Sequence, residues 1–112
     1  MGLPDAAEYA RPGRMFHHVV LYRLKQGVTL ERVRAAREAL AALCETLPGV
    51  EHFSVVENVA VENGGYTLAL LSLFENRGAY EIFNRHPEHL RVCRDLLNPV
   101  VEHNICVEGE NS

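Results

Sequence analysis

Cysteine is scarce in this chain of 112 residues, and the cysteines present form no recognisable motif. They are Cys44, Cys93 and Cys106, an odd number with no CxxC spacing, so the sequence provides neither a disulfide framework nor a familiar set of metal ligands. Each lies in a segment rich in apolar residues, which favours buried free thiols in a reducing cytosol. We therefore expect a cytoplasmic protein without a metal or another cofactor.

Long apolar runs and an excess of basic charge are missing as well. No apolar segment approaches the roughly 20 residues that a membrane-spanning helix needs, and the first residues lack the charged-then-apolar pattern of a secretory signal. The formal net charge is −4 without a basic stripe, which argues against nucleic acid and membrane surfaces as partners. Apolar residues nevertheless make up 47% of the chain, enough for one domain with a buried core.

The hydrophobic pattern predicts the element order β-α-β-β-α-β. Period-two and continuous apolar segments predict strands at 15–24, 50–61, 66–74 and 100–107. Apolar residues three or four apart predict helices at 30–47, 76–84 and 87–97. This order is typical of an α+β, ferredoxin-like fold, in which a four-stranded antiparallel sheet carries its helices on one face. We interpret residues 1–14 as an N-terminal extension, 15–108 as the domain and 109–112 as a C-terminal tail.

The first and third predicted strands are apolar on both faces. Two helical layers from so short a chain can cover only one face of a four-stranded sheet, which leaves an exposed apolar patch of the kind that monomers avoid. A second copy of the chain, packed sheet against sheet, is the simplest cover. The sequence therefore predicts a homodimer.

The segment His86-Pro87-Glu88-His89 is the most informative motif of the chain. Proline is favoured at the first helical position, which places His86 at the N-cap and His89 one turn into a helix, near the positive end of its dipole. Imidazoles titrate near neutral pH, so the pair can move a proton, bind an anion, hold a metal or simply cap a helix. We expect His86 to cap the helix. No metal is expected, because the spacing differs from that of the HExxH metal motif.

Several short segments occur in an order that resembles one known family. They are FHHVVLYRLK at 16–25, LPGV at 47–50, ENV at 57–59, GYT at 65–67, FE at 74–75, HPEH at 86–89 and VVE at 100–102. Together they resemble the stress-responsive A/B barrel, or Dabb, domain. The resemblance implies a homodimeric α+β barrel formed by two sheets face to face. Members of the family include a plant polyketide cyclase that performs an aldol-type ring closure, and many proteins without a settled chemistry.

The resemblance to the cyclase implies catalytic roles for two histidines. The cyclase is similar in having a histidine on its first strand, at the position of His18, and a second histidine of the HPxH motif, at the position of His89. A tyrosine of the cyclase, three residues before that motif, is matched by Phe83, which has no hydroxyl. Tyr80 lies one helical turn earlier and is the candidate replacement.

We expect a small apolar cavity in which His89 and His18 are the polar groups. The side chains expected to contact a ligand are Tyr22, Tyr66, Phe83 and His86. The favoured function is the binding of a small, mainly apolar molecule by the homodimer. Two alternatives stay open: an enzyme of the polyketide-cyclase or related proton-transfer type that uses His89, and a non-catalytic structural or stress-protective dimer with a filled barrel.

Overall fold

Four strands form one antiparallel sheet in the computed structural model, which describes residues 14–111. The strands are β1 Phe16–Leu24, β2 Val50–Glu57, β3 Tyr66–Phe74 and β4 Val101–Glu110. The helices are α1 Leu30–Thr46, α2 Arg77–Arg85 and α3 Pro87–Val92, and α3 continues into a π-helical turn at Cys93–Leu97 and a 3₁₀ turn at Asn98–Val100. The strand order β2-β3-β1-β4 confirms the predicted ferredoxin-like fold. Residues 1–13, most of the predicted N-terminal extension, lie outside the described residues.

The long helix α1 buries one apolar stripe against the sheet. Val33, Ala36, Leu40 and Leu43 recur every three or four residues and are all buried. Pro48 and Gly49 then turn the chain into β2. Gly49 has a φ of +85°, and a Cβ at this position would lie 2.7 Å from the Cβ of Ala79 on α2, so only glycine fits this corner.

The two faces of the sheet have different surroundings. On β1, Phe16, Val20 and Tyr22 are buried beneath the helices. The alternate residues point to the other face, which we call the open face. Strand register places these apolar side chains on the open face: Val19, Leu21, Val56, Ala69, Leu71, Leu73, Ile105 and Val107. The predicted apolar character of both faces is therefore confirmed for β1 and β3.

Strand β2 ends at Glu57 and does not continue to residue 61 as the sequence predicts. Asn58 is the physical reason: its backbone N–H still donates to the carbonyl of Thr67 at 2.9 Å, but its side chain takes the next backbone partners. The amide Nδ2 donates to the carbonyl of Tyr66 at 2.7 Å, and Oδ1 accepts from the backbone N–H of Ala60 at 3.1 Å. The chain turns away from the sheet, so Val59 and Val61 are exposed.

Strand β4 runs farther than the predicted end at residue 107. Its last pairs with β1 are His17 with Gly109 and Phe16 with Glu110, so part of the segment interpreted as a tail is strand. The helix predicted at 87–97 begins at Pro87 as expected, but its last turn is π-helical, with the amide of Asn98 donating to the carbonyl of Cys93. None of the helices within residues 14–111 has the length and hydropathy of a membrane span.

Candidate functional site

Three strands bring polar side chains together beneath α2. His18 on β1 pairs with Ser72 on β3 and with Glu108 on β4, so all three side chains lie on the helix-covered face. The His18 side chain is only 10% exposed. The hydroxyl of Ser72 donates to the backbone carbonyl of His18 at 2.7 Å. This bond holds the backbone of β1 in place at His18.

Tyr80 on α2 joins this group from above. Its hydroxyl donates to Glu108 Oε1 at 2.7 Å, and the same carboxylate oxygen lies 3.4 Å from His18 Nδ1. The Tyr80 and His18 rings are 4.8 Å apart between centroids. The Glu108 side chain is 44% exposed, so it connects the buried imidazole and phenol to solvent. We call these three residues the His18–Tyr80–Glu108 cluster.

The HPEH motif supplies the second imidazole. His86 caps α3, because its Nδ1 accepts from the backbone N–H of Glu88 at 3.0 Å, which confirms the predicted cap. His89 packs its ring 4.6 Å from the ring of Phe83, and its Nε2 lies 3.6 Å from the Cys93 Sγ. His89 Nδ1 is buried without a well-aligned hydrogen bond, although the backbone of Asn84 lies close enough to favour its protonated form.

Burial keeps both imidazoles largely neutral. Burial lowers the pKa of His18. The neighbouring carboxylate of Glu108 partly offsets this shift, and repulsion from His89 in its protonated form adds to it. The pKa of His89 is lowered by burial too, with the Asn84 backbone acting in the opposite direction. Tyr80 has a raised pKa because of its burial and its hydrogen bond to Glu108, so its phenol remains a proton donor. The site thus combines neutral bases with a protonated donor.

Stability should decrease on acidification because of these two imidazoles. A histidine with a lowered native pKa binds fewer protons in the folded state than in the unfolded state, so the free energy of unfolding falls as the pH drops through and below the ordinary imidazole value of 6.5. Thermal melts between neutral and mildly acidic pH should show this loss, and His89→Gln should reduce it. The exposed Arg32 of α1 provides a control, since Arg32→Gln should retain the wild-type decline. A melting temperature that rises on acidification would contradict the argument.

The other predicted site residues divide between this region and distant positions. Phe83 is buried between Phe74 and His89 and belongs to the site. Tyr22 is buried on the same sheet face but farther along β1, where it contacts α1. Tyr66 lies at the opposite end of β1 from His18, with its hydroxyl 2.7 Å from His103 Nδ1 and the Arg23 guanidinium 4.7 Å from its ring centre. The structure therefore does not bring Tyr66 to the two imidazoles.

Glu108 and Ser72 were missed by the sequence analysis. Ser72 lies among apolar residues of β3, and Glu108 comes just after the predicted end of the last strand. Only the strand register shows that both flank His18. Side chains alternate between the two faces of a strand. If the last strand is extended past residue 107, this alternation predicts that Glu108 lies on the covered face.

The thiols are free, as predicted, but they are not all buried. Cys44 is buried and Cys93 half-buried, whereas Cys106 is exposed because it lies on the edge strand β4. Burial raises the pKa of Cys44 to about 11 and also raises those of Cys93 and Cys106. All three are therefore thiols rather than thiolates near neutral pH, which makes them poor nucleophiles. Within residues 14–111, His, Cys, Asp and Glu form no group of three close enough to hold a metal ion.

A surface cavity of about 150 Å³ lies between α1 and β2, on a different part of the molecule. A second, smaller cavity shares Val33, Val55 and Leu68 with it and is lined by Tyr22 as well. The cavity that the sequence analysis expects around His18 and His89 stays a prediction.

These features define a ferredoxin-like α+β domain with a polar site between its sheet and helices. The model of the stress responsive A/B barrel domain matches residues 16–111. The chain belongs to this family, as its resemblance implied. A search of curated proteins finds no match.

Several solved structures share the fold. A Dabb family protein from Mesorhizobium loti is 22% identical, with 88% of this chain and 98% of that chain covered and a TM-score of 0.74. A dimeric ferredoxin-like protein of unknown function from Thermobifida fusca is 19% identical, with coverage of 88% and 92% and a TM-score of 0.74. A hydroxynitrile lyase from Passiflora edulis is 16% identical, with coverage of 90% and 96% and a TM-score of 0.76.

Proposed function

We propose that this protein is a homodimer that binds a small, mainly apolar molecule beside the His18–Tyr80–Glu108 cluster and transfers a proton to or from it. The observation that carries the proposal is the position of the Glu108 carboxylate, which contacts the Tyr80 hydroxyl and His18 Nδ1 while it remains partly exposed. Burial alone would isolate the imidazole from solvent protons. Glu108 supplies the connection.

The open face supports the homodimer. Its apolar side chains continue across all four strands, and a patch of this kind on a single domain usually marks an interface. Ile105 and Val107 on β4 are exposed although both are large and apolar. Structural neighbours from Thermobifida fusca and Bacteroides fragilis are described as dimeric. We therefore assign the open face to contact between two copies of the chain.

The chemistry that suits the cluster is general acid–base catalysis. A neutral His18 can accept a proton from a carbon next to a carbonyl or from a hydroxyl, and Glu108 can then pass that proton to solvent. His89, at the start of α3, is the second neutral base. Phe83 has no hydroxyl, so Tyr80 provides the phenol that donates a proton. Its ring already lies against that of His18. One structural neighbour is named a hydroxynitrile lyase, so the fold carries catalysis in that protein.

The structural dimer remains the second candidate, because aromatic rings pack tightly around the two imidazoles. Phe16 stacks on Tyr80 with centroids 4.8 Å apart, and Phe74 lies 5.4 Å from Tyr80 and 5.5 Å from Phe83. Phe83 in turn covers His89. If the protein is a structural dimer, the polar groups stabilise the fold and no ligand binds between the sheet and the helices.

A panel of small carbonyl compounds, hydroxynitriles and polyketide-like molecules separates the two candidates. Ligand-observed NMR and turnover assays on the wild-type protein should identify at least one compound that binds in a saturable manner. His18→Ala and His89→Ala should abolish its turnover, and Arg32→Ala, which removes an exposed side chain of α1, should not. If no compound binds or reacts, the structural candidate replaces the catalytic one. Turnover that survives both substitutions would exclude the two histidines from the mechanism.

A further inference from the structure

The cavity between α1 and β2 has an apolar floor and a cationic rim. Val33 of α1, Val55 of β2 and Leu68 of β3 form the floor, and Arg34 and Arg37 of α1 stand beside them. Arginines three positions apart on a helix lie on neighbouring parts of its surface, so the two guanidinium groups can act on one anion. We call this cavity the α1–β2 groove.

Neither of these arginines has a partner in the part of the chain that the structure describes. Arg34 and Arg37 make no ion pair or side-chain hydrogen bond there, in contrast to Arg91 with Glu88 and Arg94 with Asp95. Glu57 is the acidic residue among the lining side chains, so the rim carries two positive charges against one negative charge. The chain as a whole carries a net charge of −4. The groove is therefore locally cationic on an acidic protein.

Size and shape limit the ligand further. A cavity of 150 Å³ is large enough for a body of about six carbons, since an apolar cavity of that volume holds benzene. A second cavity of about 10 Å³ is lined by Tyr22 and Leu40, and it shares Val33 and Leu68 with the groove. The aliphatic side chains that the two cavities share suit an alkyl chain.

We propose that the α1–β2 groove binds a short aliphatic carboxylate, with the carboxylate on Arg34 and Arg37 and the chain on Val33, Val55 and Leu68. Arginine forms bidentate, charge-assisted hydrogen bonds with carboxylates, which gives the site its preference for an acid over an alcohol. The first turn of α1, which contributes Leu30 to the groove, adds the positive end of the helix dipole. This site is separate from the His18–Tyr80–Glu108 cluster and does not depend on its chemistry.

Three probes separate the contributions of charge and chain. Hexanoate has both, acetate has the charge alone and 1-hexanol has the chain alone. Titrations of the wild-type protein followed by amide NMR shifts should show saturable hexanoate binding, with shifts at Val33, Val55 and Leu68. Acetate and 1-hexanol should each bind about tenfold more weakly or worse, because each lacks one of the two contributions.

Variants identify the groove as the site. The double variant Arg34→Gln, Arg37→Gln should weaken hexanoate binding about tenfold or more, since it removes the charge-assisted hydrogen bonds, and should leave 1-hexanol unchanged. Arg32→Gln is the matched control, an exposed arginine of α1 outside the groove, and should bind hexanoate as the wild type does. Equal affinities for hexanoate and 1-hexanol, or an unaffected double variant, would overturn the proposal. Loss of hexanoate binding in His18→Ala would overturn it as well, because the carboxylate would then bind at the cluster.

Discussion

Val107→Asp should convert the proposed homodimer into monomers. In one protomer the Val107 side chain is 57% exposed on edge strand β4, so a carboxylate there costs the isolated fold about 1 kcal/mol or less. In a dimer formed through the open face, two-fold symmetry buries two such carboxylates without a cationic partner. Burial of an unpaired charge costs about 3–5 kcal/mol, which raises the dissociation constant about 100-fold or more. Sedimentation equilibrium at micromolar concentration measures this change.

Ile82→Asp is the matched control for that experiment. Ile82 is 58% exposed, as Val107 is, but it lies on α2 and away from the open face. This variant should remain dimeric with an unchanged dissociation constant. Val20 would be a poorer probe, because it is buried under the helices and its replacement would disrupt the protomer itself. A monomeric wild-type protein, or a Val107→Asp variant that dimerises normally, would exclude the open face as the interface.

Glu108→Gln should lower turnover about 100-fold on any compound that the wild-type protein converts, within the usual range for loss of acid–base assistance. Glutamine keeps the size of glutamate and can still accept the hydrogen bond from Tyr80, so the geometry should survive. It cannot carry a proton between His18 and solvent. Because the Glu108 carboxylate raises the pKa of His18, its loss should also move the acidic limb of the pH–rate profile to lower pH.

Glu102→Gln distinguishes this effect from a general change in charge. Glu102 is also on β4 and exposed, and its replacement removes the same charge. It should leave both turnover and the pH profile unchanged. A Glu108→Gln variant with normal turnover would show that protons reach His18 by another route, and a lower rate without a shift of the acidic limb would assign Glu108 a structural part.

Much of the fold was predictable because its signals are local. The apolar stripe of α1, the Pro48-Gly49 corner and the proline that opens α3 each act within a few residues of chain. The end of β2 was misplaced for the opposite reason. Residues 59–61 contain two valines that suit a strand, but the side chain of Asn58 competes for the backbone and diverts the chain.

The site was less predictable, because it depends on contacts that are distant in sequence. His18 and His89 stand out in the sequence and in the resemblance to the family, and the ring of Phe83 lies 4.6 Å from that of His89. Glu108 meets His18 only through the pairing of the first and last strands, which no local pattern specifies. The π-helical turn Cys93–Leu97, which follows Val92, was not predicted either.

The alternation of side chains along β1 has a consequence for how this gene can change. His18 faces the helices and its neighbour Val19 faces the open face. Residues of the two sheet faces therefore alternate along the same stretch of sequence. A single-codon insertion or deletion here would move every later side chain of the strand to the opposite side. If the change comes before His18, an apolar residue would take the place of the imidazole on the covered face, and the imidazole would lie on the open face. A single substitution in β1 leaves this alternation intact, whereas a change in its length should be eliminated by selection.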